Sequence, residues 1–180
     1  MTDRETMRKE VERQGLKIAH DPDAQQIVES SFAHIVDTLH DALEDCPICA
    51  VYTYRKADQD DGSPFRQADG VCFVHRAKDG GSILYSVAIA SETILQGRGY
   101  LEFVLLHELS HALTEPVQDH GDVLPHDAVF EAELDQLLTV YEARTGEAVE
   151  ANVYSGYHGD KKAPEPPAGP RIAICGIRTD

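Results

Sequence analysis

The most constraining feature of the sequence is the run YLEFVLLHELSHALTEP (100–116), in which two histidines and a glutamate stand among large apolar residues. His107 and His111 are four residues apart, so on an α-helix they project from one face, about one turn apart. The apolar residues around them predict a buried helix. Burying two imidazoles and a carboxylate without partners would cost on the order of several kcal/mol, so these side chains require a binding partner.

A zinc ion meets that requirement. His107 and His111 can both reach one ion at the usual zinc–nitrogen distance of about 2 Å. Glu108 lies about 100° further round the helix, beside such an ion, where its carboxylate can take a proton from water. The alternative, three polar residues that share a helix by chance, needs a separate hydrogen-bond partner for each. The pattern therefore predicts an HExxH site with Zn²⁺ as cofactor and Glu108 as the catalytic residue.

The third zinc ligand is open among three residues of suitable chemistry. His120, His126 and Glu131 all follow the motif in the sequence. Glu131 opens EAELD (131–135), which resembles the third-ligand helix of thermolysin-type gluzincins. His126 precedes a predicted helix and has Phe130 four residues after it. The residues alone leave all three as candidates.

A pair of motifs resembles a known family more specifically. In the SprT-like and WLM metallopeptidases, a group of Spartan-related minimal zincins, an HExxH helix is followed after a loop by His-Gly or His-Asp, two residues and Phe. Here these motifs read HELSH (107–111) and HDAVF (126–130), and the resemblance covers about residues 25–145. It implies a compact zincin-like (minigluzincin) fold and His126 as the third ligand. The metzincin pattern is excluded because Thr114 and Val117 stand where it needs glycine and histidine.

This site predicts a zinc metallopeptidase that acts on peptides or proteins. Zinc would activate water, and Glu108 would accept its proton and pass it to the leaving nitrogen. Candidate oxyanion donors are Tyr154, Tyr157 and His158 in NVYSGYH. Two alternatives remain, a non-catalytic zinc-stabilised binding or regulatory module and a hydrolase of another amide. Glu108 favours catalysis, because a structural zinc site has no use for a base.

Hydrophobic periodicity predicts an α+β fold. The order is a helix, three strands of a mainly antiparallel sheet, the HELSH helix and a C-terminal helix carrying the third ligand. We expect these elements over residues 25–44, 48–55, 70–76, 82–90, about 100–113 and 125–144. Gly80 and Gly81 favour a hairpin between the second and third strands.

Composition divides the chain into three parts. Residues 1–20 are a charged N-terminal extension, 21–150 the metallopeptidase domain, and 151–180 a Gly/Pro-rich tail with a possible edge strand. The fraction of hydrophobic residues, 42%, is typical of a globular domain. The charged N-terminus is unlike a signal or transit peptide, and no stretch is long and apolar enough to span a membrane, so we expect a cytoplasmic protein.

Charge and cysteine spacing narrow the possible partners. The net charge is −16, and the acidic excess lies in residues 21–160, since both ends are slightly basic. An acidic body repels phosphate backbones and argues against nucleic-acid binding, including the DNA-directed role of some SprT-like proteins.

The CPIC pair (46–49) has no second CxxC to complete a zinc site and is expected to begin a strand. Nothing in the sequence selects an oligomeric state.

Overall fold

The fold is an α+β arrangement in which helices cover both faces of a three-stranded sheet. The computed structural model describes residues 4–43, 46–76, 83–114 and 128–149. Its five helices are α1 (Arg4–Arg13), α2 (Pro22–Leu39), α3 (Ser91–Ile94), α4 (Arg98–Thr114) and α5 (Ala128–Thr145). Its strands are β1 (Ile48–Tyr54), β2 (Gly70–Arg76) and β3 (Ile83–Ala90). No described helix is long and apolar enough to cross a membrane.

The sheet is mixed, with strand order β1-β3-β2. β2 and β3 pair antiparallel, as the sequence predicts, although the turn between them lies outside the described residues. β1 and β3 pair parallel, so the prediction of a mainly antiparallel sheet is wrong. The cause is topological: β2 lies at the edge rather than between its sequence neighbours, so β3 runs beside β1 in the same direction.

One face of the sheet packs against α2, α4 and α5. Its core contains Val51, Val87 and Ile89 from the strands and Ile35, Leu105 and Leu137 from the helices. Alternate residues along a strand point to opposite faces, so Cys72 and Gly70 of β2 also belong to this face. The helix that carries HELSH is therefore held directly against β2.

The opposite face packs against α1. Met7 and Val11 of α1 are buried against a second core that includes Tyr52, Tyr54 and Phe73 of the strands. Residues 4–20, which composition sets apart as a charged extension, thus contribute apolar side chains to the sheet. The four-residue spacing of Met7 and Val11 gives α1 its apolar stripe among charged residues.

A buried chain of hydrogen bonds also links α1 to the sheet. His75 of β2 lies 2.7 Å through Nε2 from the hydroxyl of Ser86 in β3, and 3.1 Å through Nδ1 from the carboxylate of Glu10 in α1. His75 and Ser86 are fully enclosed. The order Ser–His–Glu resembles a hydrolase triad, but Ser86 has no exposed surface to meet a substrate. These hydrogen bonds therefore stabilise the contact of α1 with the sheet.

Helix boundaries follow local chemistry. Asp21 caps α2 by accepting a hydrogen bond from the Ala24 amide at 3.1 Å, with a proline in the first turn. Gly146, with φ of 70°, follows the last residue of α5 and ends the helix. At the start of α5, Phe130 is the residue that turns inward, at 3% exposed, whereas its neighbour Val129 is 63% exposed.

Candidate active site

Helix α4 is buried on every side over most of its length. Every residue from Tyr100 to Ala112 is buried, as expected of a helix that is apolar all round. Within it, His107 is 7% exposed, Glu108 3% and His111 2%. The structure thus confirms that the motif lies on a buried helix, and it places all three polar side chains in the interior.

The two histidines lie side by side. Their ring centroids are 4.9 Å apart and the rings are nearly perpendicular. Phe130, near the start of α5, lies against both rings, with its centroid 5.0 Å from that of His107 and 4.3 Å from that of His111. The chain therefore returns after the HELSH helix so that a phenyl ring forms one wall of the histidine pair.

Glu108 lies against the first residue of β2. A Cβ placed on Gly70 would be 2.7 Å from Glu108 Oε1, 2.9 Å from Glu108 Cγ and 2.7 Å from Val104 Cγ1. Gly70 has no left-handed backbone that would itself require glycine. The requirement comes from its neighbours, since both Glu108 and Val104 are buried and have little room to move.

Asp69, the residue before Gly70, accepts hydrogen bonds from several elements. The Asp69 carboxylate accepts from Lys56 Nζ at 2.6 Å and from the Tyr100 hydroxyl at 2.7 Å. Its carbonyl accepts from the Ala90 amide at 2.9 Å and from the Thr93 hydroxyl at 3.1 Å. Because Tyr100 belongs to α4, Asp69 ties the start of β2 to the helix that carries Glu108.

Tyr54 adds a neutral hydroxyl to this acidic region. Burial raises the pKa of Tyr54 well above its ordinary value, and the negative charges of Glu108, Asp69 and Glu92 raise it further. The hydroxyl donates to the Ala68 carbonyl at 2.6 Å. Tyr54 therefore remains a hydrogen-bond donor that stabilises the turn before β2.

A second buried carboxylate on α4 lies toward α5. Glu102 accepts from Arg98 Nε at 2.6 Å and is 2% exposed. Burial raises the pKa of Tyr141 in α5 to about 12, and the charge of Glu102 contributes to that rise. This group stabilises the contact between the two helices away from the histidine pair.

The outer edge of β2 includes the peptide groups of Gly70, the residue whose face contacts Glu108. The Ala90 amide bonds to the Asp69 carbonyl, so these two residues form a hydrogen-bonded pair of the antiparallel ladder. Hydrogen-bonded and non-bonded pairs alternate, so the next pair, Gly70 with Ile89, is non-bonded and the peptide groups of Gly70 point away from β3. Among the described strands, none pairs with this edge of β2.

The structure brings together part of the predicted site. His107, Glu108 and His111 are adjacent, whereas Glu131 is exposed on α5. Within the described ranges, no three His, Cys, Asp or Glu side chains are grouped as metal ligands. The other predicted site residues, His120, His126, Tyr154, Tyr157 and His158, lie outside the described residues.

The donor set nevertheless fits zinc. Two buried imidazoles that lie side by side, with a buried carboxylate on the same stretch of helix, match the ligands and base of zinc hydrolases. A catalytic zinc site takes three protein ligands, so one more would come from elsewhere in the chain. The segment between α4 and α5 contains two of the candidates, His120 and His126.

Asp69, Gly70 and Tyr100 carry no sequence signal that marks them as part of the site. The stretch ADG (68–70) has the composition of an ordinary turn, and a single tyrosine at the start of a buried helix is typical of core packing. Only the packing of β2 against α4 brings Gly70 to Glu108 and Asp69 to Tyr100.

No known protein family, curated protein or solved structure matches this chain.

Proposed function

We propose that this protein is a zinc-dependent hydrolase that cleaves peptide bonds, of the SprT-like and WLM type. The observation that carries the proposal is the burial of Glu108 on α4, in the same stretch of helix as two buried histidines whose rings lie side by side, and against Gly70 of β2. A buried carboxylate in that position has a chemical use in hydrolysis, whereas packing alone would favour an apolar side chain.

His107 and His111 would hold the zinc, with His126 as the proposed third ligand. Glu131 and His120 are the alternatives, Glu131 giving a thermolysin-like arrangement. When bound, zinc supplies a Lewis acid that activates water and polarises the scissile carbonyl. Phe130 would shield the ligand imidazoles from solvent through its contacts with both rings.

Glu108 would serve as the general base and then as the acid. Its carboxylate takes a proton from the attacking water and passes it to the leaving nitrogen, so it ends the cycle ionised as it began. Tyr154, Tyr157 and His158 are the proposed donors to the oxyanion.

An extended peptide is the substrate that this arrangement favours. The outward peptide groups of Gly70 can donate to and accept from a strand laid along β2, which is how sheets bind peptides by strand addition. Such binding would bring the peptide backbone next to Glu108. The acidic segment after α4, EPVQDHGDVLP (115–125), favours basic or neutral peptides over acidic ones.

We further propose that the protein acts in the cytoplasm. Cys46, Cys49 and Cys72 are free thiols in the part of the chain that the structure describes, as is usual in a reducing compartment.

The proposal is tested with zinc-loaded protein and quenched fluorescent peptides of basic, neutral and acidic sequence, with denatured casein alongside. We expect cleavage that a zinc chelator abolishes and that added Zn²⁺ restores, with basic and neutral peptides cleaved faster than acidic ones. Cleavage that persists unchanged after complete metal removal would contradict the zinc mechanism. Equal rates on acidic and basic peptides would contradict only the charge preference.

A further inference from the structure

Asp69 joins three elements at the point where β2 meets α4. Lys56 comes from the segment after β1, Thr93 from α3 and Tyr100 from α4. The side chain of Asp69 is 17% exposed and that of Lys56 24%, so their bond is largely shielded from water. A shielded, charge-assisted bond holds its partners more firmly than an exposed one.

The residue that follows Asp69 lies directly against the Glu108 side chain. Gly70 follows Asp69 directly, and a Cβ there would overlap both Oε1 and Cγ of Glu108. The distance between β2 and α4 therefore decides how much space the Glu108 side chain has. Tyr100 lies about two turns before Glu108 on the same helix, so its bond to Asp69 fixes that distance from the helix side.

We infer that Asp69 is a positioning residue for Glu108, acting through Tyr100 and Gly70. By tying the start of β2 to α4, Asp69 keeps the Gly70 backbone against the Glu108 side chain and so restricts the positions of the carboxylate. Its effect on turnover rests on the proposed function, whereas its effect on the contact between Gly70 and Glu108 does not.

The contact is tested without any activity by combining Gly70→Ala with changes at Tyr100. Gly70→Ala should lower the urea midpoint of the metal-free protein, because the new methyl group meets Glu108 and Val104. In the Tyr100→Phe background the same change should lower the midpoint less, since β2 is then freer to move away from α4. Tyr52→Phe is the matched control. Its hydroxyl donates to the Arg4 carbonyl at 2.7 Å on the opposite face, so Gly70→Ala should retain its full effect.

Turnover supplies a second test, which also applies if Gly70→Ala does not fold. Asp69→Asn and Tyr100→Phe should each lower kcat by about tenfold to a hundredfold with KM and zinc content unchanged, the size expected for a misplaced catalytic group. Asp21→Asn, which changes a carboxylate that caps α2, should leave kcat unchanged.

The outcomes separate the inference from the proposed function. An equal effect of Gly70→Ala in all three backgrounds overturns the inference. Full kcat in Asp69→Asn and Tyr100→Phe also overturns it, provided that Glu108→Gln is inactive. If Glu108→Gln turns over as fast as the parent, or the parent cleaves nothing, the proposed function fails and the urea midpoints alone decide whether Asp69 sets the contact.

Discussion

Replacing Glu108 with glutamine is expected to lower kcat by about 10²- to 10⁴-fold, the usual contribution of a general base. Glutamine has nearly the same shape and fits beside Gly70, but its amide cannot accept the proton from water. Zinc content should stay at the parent value, because His107 and His111 are unchanged. The measurement is steady-state cleavage of a peptide that the parent cleaves, with zinc determined on the same samples.

Glu102→Gln is the matched control, since it makes the same substitution on the same buried helix. Glu102 bonds to Arg98 and lies toward Tyr141. This variant should lose stability, because the buried Glu102 carboxylate loses its charge-assisted bond to the partly exposed Arg98, and keep its turnover. If Glu108→Gln retains parental kcat, Glu108 is not the base and the proposed mechanism is wrong.

Replacing Phe130 with alanine is expected to destabilise the protein by about 3–5 kcal/mol, the cost of removing a buried phenylalanine. Phe130 is 3% exposed and contacts both histidine rings as well as the main core. Its removal would leave a cavity beside the imidazoles and weaken the contact between α4 and α5. Urea unfolding followed by circular dichroism measures the loss.

Two further variants make the Phe130 result specific. Val129→Ala changes the neighbouring residue, which is 63% exposed, and should alter stability by less than about 0.5 kcal/mol. Phe130→Leu should recover much of the loss, because it refills most of the volume. Equal effects of Val129→Ala and Phe130→Ala would show that the ring does not pack on the histidines.

The elements of the fold could be predicted because their patterns are local. The bounds of β2 and the burial of the HELSH helix follow from alternation, turn residues and an apolar run, which the sequence contains directly. The parallel pairing of β1 with β3 could not be predicted in this way. It depends on which edge β2 joins, and that choice is made by helices packing on the assembled sheet.

The same distinction applies to the candidate site. His107, Glu108 and His111 lie within five residues, so helical geometry alone predicts that they are neighbours. Asp69 and Gly70 are distant in sequence from Glu108 and carry only turn chemistry, so their role depends on the tertiary contact between β2 and α4. The burial of Met7 and Val11 could not be predicted for a related reason. Two apolar residues among charged ones indicate a packed helix only once the sheet face that they cover is known.

Zinc binding by His107 and His111 is tested by measuring the zinc content of the purified protein by mass spectrometry. We predict about one zinc per chain in the parent, the stoichiometry of a single catalytic site. His107→Ala, His111→Ala and His126→Ala should lose the metal, whereas His120→Ala and Glu131→Ala should keep it. Zinc binding by these two histidines would be contradicted if the parent takes up no zinc when folded in its presence. Full zinc in both His107→Ala and His111→Ala would contradict it as well.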